Sequence, residues 1–476
     1  MSPPTDTRPT EDADDLSDPG RVDAGPATVG TPRTAVRAGS RRVADRRPHA
    51  VYRRRRVLAT LAVLVAVFVL WVVISLGMAV SNPSYGTSIA GRAAEWARRN
   101  GGATLVVKVE NFWYSHHAPK VGGTVPKGAI KSPTATTTPA PVAVAVPHLP
   151  APANVVPPAS PALPGEGVWS PTARSVAGQP ALYTTRVRPD AVHTSYVVGM
   201  AWMDPNLLHA TLYSGSQIPG GGPFVHSAPI PPTAADTLVA AFNAGFLMDA
   251  AQGGYYTDGR TVVPLRTGAA SAVILTDGTL TVGQWGRDVS MSPAVVSVRQ
   301  NLDLIVDGGQ PVPGLNAADT TRWGFTLGNK VYVYRSGLGV TADGAVVYVG
   351  GPGLNITDLA DLLVRAGAVR AMELDINTDW VNFAYFTPSN PYEPASAASG
   401  SLLLPAMSGG PDRYFSSYWS RDFFTMSSAY PDGPPTTTST TSSTSSTSTS
   451  STTTSSSSTT SSTSSSKPGA RSTPAP

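Results

Sequence analysis

Apolar positions along the 476-residue chain fall into three patterns, and each predicts a different kind of element. The first is unbroken. "VLATLAVLVAVFVLWVVISLGMAV" (57–80) carries no charged residue and is long enough to cross the hydrocarbon core of a bilayer. A cleaved leader would have a shorter apolar stretch nearer the N-terminus. The second pattern consists of short runs cut by Gly, Pro, Asn and Asp, from residue 167 onward: "HTSYVVGMAWM", "HATLYSG", "SAVILTDGTLTVGQW", "LDLIVDGG", "KVYVYRS" and "GAVVYVGG". These predict strands, and the Asp-Gly pairs at 258–259, 277–278 and 343–344 predict the turns between them.

The third pattern is helical and occurs once in the strand-rich region. In "NITDLADLLVRAGA", Leu359, Leu362, Leu363 and Ala366 recur at i, i+3, i+4 and i+7, one helical face. Asn355 or Thr357 can cap its start, Asp358 and Asp361 lie in its first turn, and Gly367 ends it. "AVVYV" precedes it as a strand closed by a "GGPG" turn, and "VRAMELDI" follows it as a second strand. A strand, a helix and a strand in about thirty residues form a crossover unit, which makes the two strands parallel. The fold class is therefore α+β: a strand-rich mixed sheet with one β-α-β crossover, preceded by one transmembrane helix.

The remaining segments have no hydrophobic period. Residues 1–56 read as a disordered basic arm, 119–166 as a Pro-rich linker and 431–476 as a Ser/Thr-rich disordered tail, because none can bury enough apolar surface. Residues 81–118 read as a short extracytoplasmic segment, a helix followed by a strand over 103–109, and 167–430 as the folded domain. The formal net charge of +4 sits entirely in residues 1–56, where twelve Arg face eight Asp or Glu. That places the basic flank in the cytoplasm and the domain outside the cell membrane, a single-pass arrangement. It also removes nucleic acid as a partner, since the folded part has no basic surplus.

The absence of cysteine excludes disulfides, thiolate catalysis and cysteine zinc sites. The seven histidines show no metal-ligand spacing, and adjacent His116 and His117 would point opposite ways on a strand. No metal or cofactor is assigned, although carboxylates and carbonyls leave calcium compatible with the sequence.

Candidate chemistry gathers at "MELDINTDW". On a strand, Ala371, Glu373, Asp375 and Asn377 share one face, with Met372, Leu374 and Ile376 on the other. Ligands of crossover sheets bind beyond the carboxyl ends of strands, where Asp375 and Asn377 lie. Gly351, in the "GGPG" turn before a helix N-terminus, is placed to cradle a phosphate. The plain alternative is a polar strand face beside an ordinary turn. Asp307-Gly308-Gly309 reads as a turn, and Trp380, Phe383, Tyr385 and Phe386 as sugar-stacking or core aromatics.

Three segments, in this order, resemble the phosphodiester glycosidase family: "LVAAFNAGFLM" (238–248), "TRWGFTLGNKVYVYRSG" (321–337) and "NITDLADLLVRAGAVRAMELD" (355–375). The resemblance covers roughly 230–430, and it implies hydrolysis of a sugar-1-phosphodiester. Carried over by position, Asn243 and Gly245 match the family's Asn-Gly-Phe turn, Arg322 its arginine, and Asp375 the aspartate of its Leu-Asp-Gly-Gly motif. Ile376 and Asn377 stand where the family has two glycines.

On this reading Asp375 serves the anomeric centre, as nucleophile or as base for water, and Glu373 is its acid or base partner. Arg322 clamps phosphate, with Arg266 as a second cation. Asn243, Gly245, Gly351 and Asn377 complete the substrate site. The expected partner is a cell-surface polysaccharide or glycoconjugate. The alternative is a non-catalytic envelope polymer-binding module of the same fold, and a third reading gives the work to the stalk and tail.

Overall fold

The computed structural model describes residues 49–102, 104–106, 108–109, 112, 120–130, 146–315, 322–323, 332–390 and 393–431. The N-terminal arm up to residue 48, the His116-His117 pair and the Ser/Thr tail lie outside the described residues. The chain divides into two units, Met1–Leu70 and Trp71–Pro476. The apolar stretch is one helix, His49–Ser81, of which Tyr52–Ser81 is long and apolar enough to cross a membrane. The shorter helix Ile89–Ala97 follows, started by Ser88, whose hydroxyl accepts from the Gly91 N–H at 2.9 Å. Residues 104–106 and 108–109 are helical, so the strand expected over 103–109 is not formed there.

Strands then dominate. In chain order they begin with β1 (Ser170–Thr172), β2 (Leu182–Val187), β3 (Val198–Met203), β4 (Leu208–Tyr213), β5 (Leu238–Asn243) and β6 (Tyr255–Thr257). They continue with β7 (Arg260–Val263), β8 (Ala270–Leu275), β9 (Leu280–Gln284), β10 (Val295–Gln300), β11 (Leu304–Asp307) and β12 (Gln310–Pro311). The last are β13 (Val333–Thr341), β14 (Val346–Leu354), β15 (Ala368–Glu373), β16 (Phe383–Phe386), β17 (Gly400–Leu402) and β18 (Phe423–Ser428). They form an eight-stranded sheet, β1-β2-β3-β14-β13-β15-β11-β12, and two five-stranded sheets, β7-β6-β10-β8-β9 and β17-β16-β5-β18-β4.

All three Asp-Gly pairs are hairpin turns, between β6 and β7, β8 and β9, and β13 and β14. At the first, Asp258 and Gly259 both have positive φ (52° and 70°), the geometry that lets a two-residue turn follow the strand twist. Gly308 and Gly309 likewise turn the chain between β11 and β12, as expected.

The crossover differs in one respect. β14, the helix Ile356–Arg365 and β15 follow in order, and β14 and β15 run the same way, but β13 lies between them, antiparallel to both. β14 also continues to Leu354, so "GGPG" is strand, not turn. The strand persists because Gly350 and Gly351 pair with Ser336 and Arg335 of β13. The helix itself is as expected. Asn355 and Asp358 form a reciprocal capping box, and Leu359, Leu362 and Leu363 are fully buried. Each buried leucine contributes about 1.5–3 kcal/mol, and losing the Asn355 cap costs about 1 kcal/mol.

The main core lies where the sheets face one another. It gathers Phe242, Tyr348, Met372, Leu374, Phe383 and Phe424. A second core joins the helix Ile356–Arg365 to the other face of the eight-stranded sheet through Val347, Val349 and Ala371. The packed body also begins earlier than residue 167. Val146, Val155 and Ala159 are buried, and Val155 N–H donates to Gly167 O at 2.9 Å. Proline-rich sequence can still pack when its apolar side chains find a groove, so the second half of the expected linker belongs to the domain surface.

Candidate active site

Strand alternation places Met372 and Leu374 in the main core and Ala371 in the core under the helix, as the pattern predicted. What the pattern could not show is that both faces are covered. Glu373 is 0% exposed and Asp375 3%. β13 holds the end of β15 in place: Leu374 N–H donates to Ser336 O at 2.8 Å, and Ser336 N–H and Oγ both donate to Asp375 O at 3.0 Å. The aspartate backbone is therefore fixed two residues beyond the end of the strand.

The two carboxylates have different partners. Glu373 Oε1 accepts from Arg335 Nη1 at 2.5 Å, while Oε2 has no hydrogen-bond partner among the described residues. Burial outweighs the Arg335 attraction and lifts Glu373 to about 7. Asp375 Oδ1 accepts from Asn377 N–H at 2.9 Å. Burial raises the Asp375 carboxyl, the Arg421 guanidinium and that backbone bond oppose the rise, and Glu95 adds to it. Glu373, expected as the acid or base partner of Asp375, thus has its carboxylate enclosed in an ion pair with Arg335.

Beneath the site a polar joint ties the sheets together. Asn243, at the end of β5, donates through Nδ2 to Ser336 Oγ (3.0 Å) and to Ala244 O (2.9 Å). Its Oδ1 accepts from Tyr348 Oη (2.9 Å) and from Asn382 N–H (3.1 Å). An amide has two donors and two acceptor lone pairs, and all four are used. Asn243 therefore serves as this joint and has no capacity left for a sugar hydroxyl. Burial holds the Tyr348 and Tyr414 phenols well above their ordinary range, so both remain neutral hydroxyls.

The other expected binding residues separate. Gly245 permits close packing: a Cβ there would lie 2.8 Å from Asn301 Oδ1 and 3.0 Å from Arg299 Cζ. Asn377 forms a turn with Asp375 and Asp379, its Oδ1 accepting from Asp379 N–H at 2.9 Å. Ile376 packs on Phe246, Ala251 and Leu302, so side chains fill the place where glycines were expected. Gly351 lies inside β14 against Val198 and Leu404, which corrects its expected place in a phosphate-cradling turn. Arg322 and Arg266 both bind Asp303, at 2.9 and 2.7 Å, and Arg266 also donates to Gln252 O and Leu302 O. The aromatics Phe383 and Phe386 are core, and Trp380 packs edge-on against Trp419 at 5.3 Å.

Two other arginines, which neither motif nor spacing singles out, lie buried near this turn. Arg421 lies over the Trp380 ring at 4.4 Å, and Arg413 over the Trp419 ring at 4.2 Å. Both are buried, and burial lowers both guanidinium groups against the attraction of nearby carboxylates. Nε and Nη1 of each, together with Ser420 Oγ and Asp422 Oδ1, have no hydrogen-bond partner among the described residues. On Arg299, by contrast, each nitrogen has a partner: Asp422, Gln300 O and Phe246 O. The available signal was "YWSRDFF" (418–424), a charged pair entering a buried strand.

A cavity of about 560 Å³ lies elsewhere, lined by His209, His226, Tyr256, Asp258 and Asp277 among others, and contains none of these groups. Among the described residues no three His, Asp or Glu side chains come together as a metal set.

No curated protein sequence matches the chain. Among solved structures, the catalytic domain of zebrafish N-acetylglucosamine-1-phosphodiester alpha-N-acetylglucosaminidase, auto-inhibited by its pro-peptide, shares 18% identity. It covers 54% of this chain and 87% of its own, with a TM-score of 0.36. A hypothetical protein from Synechocystis shares 12% identity over 54% of this chain and 64% of its own, with a TM-score of 0.30. A putative exported protein from Burkholderia pseudomallei K96243 shares 14% over 48% of this chain and 74% of its own, at 0.24. Residues 236–375, which run from just before β5 to Asp375 itself, match the family model described as phosphodiester glycosidase, the family that the three sequence segments resemble.

Proposed function

We propose that the protein is a membrane-anchored, extracytoplasmic hydrolase that cleaves a sugar-1-phosphodiester linkage in a cell-envelope polysaccharide or glycoconjugate. The family match supports a glycosidase-type hydrolase, and the apolar helix Tyr52–Ser81 supports the anchor. The arginine-rich flank supports a cytoplasmic N-terminus. The observation that carries the site is the Ser336 clamp, which holds Asp375 beside the underbonded guanidinium of Arg421.

Asp375 acts at the anomeric carbon, either by direct attack, forming a glycosyl ester that water then hydrolyses to free sugar, or by taking the proton of a water whose oxygen bonds to that carbon. The bond from that carbon to the bridging oxygen breaks, and its electron pair leaves on the oxygen, which stays on the carrier as a phosphate monoester. Phosphate leaves readily, so cationic stabilisation matters more than proton donation. Glu373 positions the end of β15 through Arg335. Retention or inversion at the sugar distinguishes the two routes for Asp375.

The test uses the full chain in detergent micelles with a panel of sugar-1-phosphate diesters. Release of free sugar and a monoester, lost in Asp375→Asn, is the expected result. The filled turn at Ile376 and Asn377 favours the alternative of a binding module. That alternative wins if neither the full chain nor its Glu95→Ala variant turns over a diester while saccharide binding survives.

A further inference from the structure

The segment after the apolar helix sits on the proposed site. Thr87 Oγ1 donates to Asp379 Oδ1 at 2.5 Å, and the hydroxyls of Thr87 and Ser408 also meet at 2.5 Å. Gly91 passes so close to Asp379 that a Cβ there would lie 1.8 Å from Oδ2. One helical turn later comes Glu95, only 1% exposed. Arg99 donates to its Oε1 at 3.0 and 3.1 Å, while Oε2 lies 3.7 Å from Arg98 Nη1 and 3.9 Å from Arg421 Nη2. Oε2 therefore has charged neighbours but no hydrogen bond.

Arg421 shows the complementary defect. Its guanidinium is stacked on Trp380, faces Asp375 and Glu95, and leaves Nε and Nη1 without hydrogen-bond partners among the described residues. Ser420 Oγ, 0% exposed, is unpartnered beside it in sequence. Buried donors are rarely left unpaired, because burial strips their water and nothing replaces it. A flat carboxylate at 3.9 Å meets the charge of this arginine but not its donor fork. A tetrahedral phosphoryl group, with more acceptor oxygens, would meet both.

We propose that Arg421 is an anion subsite for the phosphoryl group of the substrate, and that Glu95 of the membrane-proximal segment occupies it in this structure. The proposal rests on the hydrolase reading above and adds a consequence to it. Residues 83–99 must leave for a phosphate to bind. With Asp375 3% exposed, the same movement opens the carboxylate. The site is thus closed by the chain that links it to the membrane helix.

The experiment measures binding of inorganic phosphate to the full chain in micelles by titration calorimetry, so it does not depend on turnover. Glu95→Ala is expected to bind phosphate at least tenfold more tightly than wild type, and adding Arg421→Met is expected to abolish the gain. Gly91→Ala provides an independent route. It favours helix yet collides with Asp379, so it should displace the segment and reproduce the gain with Glu95 and Arg421 both intact. The proposal is overturned if neither Glu95→Ala nor Gly91→Ala binds phosphate more tightly, or if the gain survives Arg421→Met. Gained phosphate binding with no diester turnover would instead retain the subsite and sink the hydrolase reading.

Discussion

Two groups of arginines in the same domain show what burial does to a side chain's role. Arg266 and Arg322 share Asp303, their side chains 41% and 51% exposed, and Arg266 has further carbonyl partners. Arg413 and Arg421 are 5% and 6% exposed, stack on Trp419 and Trp380, and carry unpartnered nitrogens. The first pair is paired, solvated and fastens loops. The second holds charge in a place where water cannot satisfy it. A chain tolerates that cost where a ligand can relieve it, and for that reason the proposed anion subsite is drawn from the second pair, at Arg421, and not from the first.

The strongest test of that contrast is at the centre of the buried group. Asp375→Asn should lower turnover by roughly 10³-fold or more in a steady-state assay, since it removes the base or nucleophile while preserving shape. Arg421→Met should lower kcat about 10²–10³-fold, the loss typical of a donor aimed at developing charge. Arg322→Ala measured beside it should change kcat less than threefold. An equal fall in both arginine variants would erase the distinction between the pairs.

Stability should separate the groups as well. Asn243→Ala leaves Tyr348 Oη, Ser336 Oγ and the Asn382 N–H each short of a buried partner. It should destabilise the domain by about 2–4 kcal/mol in urea unfolding. Arg322→Ala, at an exposed ion pair, should cost at most about 1 kcal/mol.

The smallest effect concerns pH. Glu373 is raised from an ordinary 4.5 to about 7 in the folded protein, so between those values the native state binds a proton that the unfolded state has released. Stability from this group is therefore complete below pH 4.5 and is lost as pH rises through 7, with a slope of up to about 1.4 kcal/mol per pH unit. Glu373→Gln should flatten the slope by that amount in unfolding experiments across the range. An unchanged slope would mean that the Arg335 pair keeps Glu373 ionised.

Much of the fold was written in local pattern. The Asp-Gly turns, the leucine face of the helix Ile356–Arg365, its Asn355 cap and the alternation of Met372 and Leu374 are each set by a few adjacent residues. Those local preferences were not overruled by packing. "GGPG" shows the opposite case. Its glycines looked like a turn because glycine permits one, but β13 and β3 on either side of β14 supply pairing partners that keep it extended.

The site was legible only in part, for the same reason. Asp375 stands out in sequence because it closes the apolar run "VRAMELD" and matches a family motif, both properties of its own segment. Arg421 and Glu95 could not. They lie 46 residues after Asp375 and 280 before it, and their proximity depends on how β18 and the membrane-proximal segment pack. Sequence determined the membrane-length helix, the strand-rich class, the turns and the strand-end carboxylate, because hydrophobic period and turn chemistry act over a few residues. Tertiary structure alone decided which buried arginines keep nitrogens without hydrogen bonds among the described residues, which amide is spent on joining sheets, and which carboxylate lies beside Arg421. Burial and hydrogen-bond satisfaction depend on distant segments that local sequence does not specify.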